Sequence, residues 1–130
     1  MKKKFVVCVA RHEFWDSLRE SLPEGEFSWL FFDEVGRAKK FIQKTPNVDL
    51  VICHDVVSPI LQGDGLKLAL YCNRTLRRTL VISDIEIKGM PSFPKKELKG
   101  KVGELRSKVL ELLNQQPVLA RKFAQALVYA

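Results

Sequence analysis

Short apolar runs alternate with amphipathic stretches along most of the chain. Lys4–Ala10 is almost continuously apolar and rich in β-branched residues, the pattern of a strand covered on both faces. Phe14, Leu18 and Leu22 recur every four residues, which predicts an amphipathic helix over 13–22, ended by Pro23. Gly25 turns the chain into a second strand, Phe27–Phe32. Asp33 is placed to cap a helix over 34–44, with Val35, Ala38, Phe41 and Ile42 on one side. Asp49–Cys53 reads as a third buried strand, His54–Asp64 as a loop, Gly65–Asn73 as a helix and Thr79–Ser83 as a fourth strand. From Asp84 to Pro94 no period holds, because Gly89, Pro91 and Pro94 break it. Leu98, Val102, Leu105, Val109 and Leu112 then step by four, three, four and three, a helical stripe.

Strands alternating with helices over such short connections imply a parallel sheet with right-handed crossovers and helices on both faces. The expected class is therefore α/β, a doubly wound, flavodoxin-like sheet. The 130 residues suit one such domain over 1–116. Pro117 opens a separate stretch, 117–130, in which Leu119, Phe123 and Leu127 predict a short helix suited to self-association or to linking a further domain.

Composition narrows the classes. With 46% apolar and 28% charged residues the chain is neither disordered nor a membrane protein. The basic start and apolar run at the N-terminus lack a cleavage pattern after them, so a cytoplasmic location is expected. Cys8, Cys53 and Cys72 sit in apolar runs without metal-type spacing and read as buried thiols. Residues 61–130 hold thirteen basic and six acidic residues and carry the whole net charge of +7. That imbalance keeps open a nucleic-acid or acidic partner for the set Arg74, Arg77, Arg78, Lys95, Lys96, Lys99, Lys101, Arg106 and Lys108, although no aromatic residues interleave it.

Three segments resemble a response-regulator receiver domain, the resemblance covering roughly residues 3–114. Pro46-Asn47-Val48-Asp49-Leu50-Val51-Ile52 is similar to the receiver's third strand, Asp64-Gly65-Leu66-Lys67-Leu68 to the start of its third helix, and Arg78–Ser83 to its fourth strand. The resemblance implies strand order 2-1-3-4-5 and a site at the strand C-termini. There, two acidic residues hold Mg²⁺, an aspartate accepts phosphate, and a Ser or Thr and a Lys assist, the cations neutralising the crowded oxyanions.

This chain meets that list unevenly. Counting back from Leu18, the acidic pair falls on Val9 and Ala10, which bind no metal, and Glu13 is the nearest acid, beside Arg11. The acceptor position falls on His54, with Asp55 one residue later, a slip that turns a strand side chain to the other face. Ser83 matches the hydroxyl position. Lys95 or Lys96, following Phe93, suits the lysine, but so little chain separates Ser83 from them that the fourth helix is expected to be shortened or missing.

The expected function is a non-enzymatic signalling module, a pseudo-receiver that binds protein partners such as a kinase or an effector domain. Phe93, Lys99, Lys101 and Arg106 would lie on its partner surface. No cofactor is expected. A working receiver phosphorylated on Asp55, with a makeshift Mg²⁺ site from Glu13 and His54, is the first alternative, and a nucleic-acid-associated domain the second. A hydrolytic triad of His54, Asp55 and Ser58 lacks a nucleophile elbow. Gly63-Asp64-Gly65 lacks the Lys-Ser/Thr of a phosphate loop and reads as turn chemistry.

Overall fold

The computed structural model describes residues 3–22 and 25–115. The stretch 117–130 lies outside the described residues. Five parallel strands form one sheet in the order β2-β1-β3-β4-β5: β1 (Lys4–Val9), β2 (Phe27–Phe32), β3 (Leu50–His54), β4 (Thr79–Ile82) and β5 (Ser92–Phe93). The helices are α1 (Trp15–Ser21, preceded by a 3-10 turn His12–Phe14), α2 (Val35–Lys44), α3 (Asp64–Arg74) and α4 (Val102–Asn114), with a further 3-10 turn at Lys95–Glu97.

Period-two alternation splits the core between the two faces of the sheet. Val6, Cys8, Leu50, Ile52, Leu80 and Ile82 face α1 and α4, meeting Leu18, Leu105 and Val109. Val7, Val9, Val51, Cys53 and Val81 face α2 and α3, meeting Ile42, Leu68 and Ala69. The three cysteines are buried and free. Cys8 and Cys53 occupy neighbouring strands but opposite faces, so they cannot be bridged. Burial raises all three thiols, Cys72 to about 11.

No helix joins β4 to β5, and β5 is only two residues long. Gly89 at φ 85° and the flanking Pro91 and Pro94 account for the broken pattern there. Two local expectations need correction. Asp33 does not cap α2. Glu34 is the residue before the helix, and the Asp33 carboxylate turns to His12 Nε2 at 2.8 Å. Leu98 lies in the turn before α4, buried against the sheet, so the apolar stripe begins ahead of its helix.

Arg77 and Arg78 close the bottom of the sheet. Arg77 donates from both terminal nitrogens to the Ile42 and Thr45 carbonyls (2.9 Å each), satisfying the end of α2. Arg78 does the same for α4, reaching Leu113 O at 3.3 Å and Gln115 O at 2.9 Å. Among the described residues, no helix is long and apolar enough to cross a membrane.

Candidate functional site

The site lies where β1, β3 and β4 end, the edge at which ligands bind in open α/β sheets. His54 is the last residue of β3, and the alternation that sends Leu50 and Ile52 toward α1 sends His54 there too. Its imidazole is fully buried, 4.6 Å between ring centres from Phe14, with neither nitrogen hydrogen-bonded to the protein. Burial and the Lys95 charge lower its pKa to about 4 against a smaller opposing pull from Asp55, so it is neutral near pH 7. The acceptor position expected at His54 is therefore filled by a core side chain.

Asp55, the next residue, emerges at the strand end. Ser83 Oγ donates to its Oδ2 at 3.0 Å, Lys95 Nζ lies 2.5 Å from its Oδ1, and the Val56 N–H donates to the same Oδ1 at 2.8 Å. Burial alone would raise the carboxyl pKa. The hydrogen bonds from Lys95 and Ser83 and the lysine's charge outweigh it, and the group is held below the usual carboxylate range. The side chains of Asp55 and Lys95 remain 22% and 27% exposed, so this is an accessible ion pair on the rim.

Of the two candidate lysines, the structure brings Lys95 to the site. Lys96 is exposed, and its backbone N–H donates to Asp84 Oδ1 at 2.9 Å. Lys95 arrives because β5 and the 3-10 turn after it follow β4 closely, Ser83 N–H donating to Phe93 O at 2.9 Å.

The β3–α3 loop is built from Asp64 and Gly65. Asp64 accepts from the backbone N–H groups of Val57, Ser58 and Gly65 at 2.8–2.9 Å. Gly65 packs directly on the strand end, where an added Cβ would lie 1.7 Å from the His54 carbonyl oxygen. This close approach, rather than turn chemistry alone, explains the glycine.

The end of β1 supplies no carboxylate beside Asp55. The pairing Val9↔Cys53, continued two residues, sets Ala10 beside His54 and Arg11 beside Asp55. Glu13 pairs with Arg11 at 3.2 Å, and His12, stacked 4.0 Å from Trp15, pairs with Asp33. Among the described residues no group of three or more His, Cys, Asp or Glu side chains is placed to hold a metal. A hard divalent cation needs several oxygen ligands, and a lone carboxylate already paired with a lysine does not fit one. Glu13 and His54 do not form the makeshift pair, since His54 faces the core.

The expected partner surface is divided. Phe93 is buried in the core, not on the surface. Lys99 is exposed, Lys101 pairs with Glu97 at 3.2 Å, and Arg106 reaches Glu26 at 3.8 Å.

No protein-family model matches the chain, and no curated protein does. Solved structures share its fold. The response regulator domain of Thermotoga maritima CheB is 15% identical with a TM-score of 0.59, over 89% of this chain and 100% of that one. The Vibrio cholerae chemotaxis protein CheY4 is 15% identical with a TM-score of 0.57, over 86% and 99%. The receiver domain of a Vibrio parahaemolyticus putative LuxO repressor is 13% identical with a TM-score of 0.57, over 88% and 100%. The chain has the receiver fold. At these identities the likeness is one of architecture.

Proposed function

We propose that the chain is a receiver-type signalling module that works through protein contacts without Mg²⁺-dependent phosphorylation, and that it is not an enzyme. The observation that carries this reading is the end of β1. Val9 and Ala10 stand where a cation site needs carboxylates, and Arg11 and His12 follow them. A protein partner suits the rim of the site, where the β3–α3 loop exposes Ile60 (87%) and Leu61 (61%) beside a cleft also lined by Arg11, Glu13, Asp33 and Pro59. Kinase and effector domains are partners of the expected kind.

Trp15 is a reporter placed for the test, since its Nε1–H donates to the Ala10 carbonyl at the end of β1, 2.8 Å away. Its fluorescence should show no saturable change on titration with low-millimolar Mg²⁺. A saturable response lost in Glu13→Gln overturns the reading.

One observation favours a second reading, in which Asp55 accepts a phosphoryl group. It is ionised, accessible and bonded to Ser83 and Lys95. The nucleic-acid reading gains nothing comparable, because Arg77 and Arg78 are committed to helix ends.

A further inference from the structure

The sheet has two edges of opposite character. At one, β5 is two residues long, enclosed by Pro91 and Pro94 and followed by Lys95 and Lys96. Short length, proline and lysine are the usual guards against strand addition. At the other edge β2 runs six residues, Phe27-Ser28-Trp29-Leu30-Phe31-Phe32, with no charge, proline or glycine. Among the described residues no strand pairs with its outer side.

The hydrogen-bond pattern shows which groups that edge offers. Lys4 N–H donates to Glu26 O (3.1 Å) and Ala10 N–H to Phe32 O (2.9 Å), bracketing the register Lys4↔Phe27 to Val9↔Phe32. In a parallel ladder alternate residues turn their backbone groups toward one neighbour, so Ser28, Leu30 and Phe32 are spent on β1. Phe27, Trp29 and Phe31 turn their N–H and C=O groups outward. Ser28 is exposed and Leu30 36% exposed at this edge.

We propose that β2 pairs antiparallel with β2 of a second copy of this chain, about a two-fold axis at Trp29, joining two sheets into one of ten strands. This register sets Trp29 opposite itself and Phe27 opposite the second copy's Phe31. Every outward residue thereby joins a pair that exchanges two N–H···O bonds. Ser28 falls opposite Leu30. The acidic residues flanking the strand avoid one another, with Glu26 opposite Phe32 and Asp33 opposite Gly25. Shifting the register by one residue in either direction opposes outward groups to inward ones, and one of the two shifts also sets Glu26 against Asp33. An uncharged strand that meets its own copy without like-charge contact suits a closed two-fold assembly.

Two measurements on the full chain test this. Light scattering should find a dimer at high concentration, and Ser28→Lys with Leu30→Lys, which opposes lysines across the axis, should weaken association at least about tenfold. In the unmodified chain, the amides of Phe27, Trp29 and Phe31 should exchange with solvent faster on dilution, while those of Ser28 and Leu30 stay protected at every concentration. That second measurement decides the matter if the double variant misfolds. A chain that stays monomeric at high concentration overturns the proposal. So does a dimer that the lysines leave intact and whose outward amides exchange freely. Protection of the Trp29 amide that appears only on adding an extended peptide of unrelated sequence would put another protein's strand on this edge, and equally overturns it.

Discussion

Asp55 and His54 are adjacent, yet the strand end gives them opposite fates. One residue of pleat separates a carboxylate on the rim from an imidazole in the core. The buried imidazole makes stability depend on pH. Its pKa falls from 6.5 to about 4 on folding, so the fold disfavours the protonated form. Its contribution is complete above the unfolded value and is lost as pH falls from there toward 4, by about 3 kcal/mol over that window. Asp55, whose carboxyl is lowered, adds a loss of its own only at more acid pH. Urea midpoints of the natural chain should therefore drop between pH 7 and 5, and His54→Phe should remove most of that drop. Because the imidazole nitrogens have no protein partner, the same substitution should also raise stability at pH 7 by about 1 kcal/mol. An unchanged pH dependence in the variant would place the titrating group elsewhere. Lys95→Met should move the Asp55 carboxyl titration, followed by NMR, upward, since the lysine's bond and charge, together with the Ser83 and Val56 bonds, hold it down.

Among the elements, α2 and α3 are fixed at their ends by single residues. Arg77→Ala removes two charge-assisted bonds from the C-terminus of α2 and should cost about 2 kcal/mol in urea unfolding. Arg74→Ala, at an exposed position one turn away, should cost close to nothing. Gly65→Ala drives a Cβ into the His54 carbonyl and should cost about 3 kcal/mol, at the upper end of overpacking. Each element of the sheet through β4 was legible as a run of apolar residues or a four-residue recurrence, because burial on both faces of a parallel sheet leaves little else in the sequence. The missing helix between β4 and β5 was legible from Gly89, Pro91 and Pro94. The site was legible only in part. Apolar runs mark where a strand lies but not its last residue, and β3 runs one residue beyond Cys53, which shifts the rim position from His54 to Asp55. Local pattern likewise offered Asp33 as a helix cap, and only the tertiary contact with His12 shows its use. Phe93, in a strand of two residues, gave no periodic signal by which to tell a core residue from a surface one.

For the whole molecule, the receiver architecture is retained at 13–15% identity to the solved receivers compared with it. Charge is set at two of the strand ends. Arg11 and His12 follow β1, and Lys95 is joined to Asp55. Phosphoryl transfer to a carboxylate needs cations that bind both donor and acceptor oxygens. Here Lys95 supplies one such cation at Asp55, and among the described residues no group of carboxylates is placed to add a divalent ion. On the proposed reading, therefore, Asp55 is not a phosphate acceptor under ordinary donor conditions. That reading is tested most directly by the intact mass of the chain after incubation with acetyl phosphate and Mg²⁺. An unchanged mass is expected, and a gain of one phosphoryl group that disappears in Asp55→Ala would overturn the proposed reading.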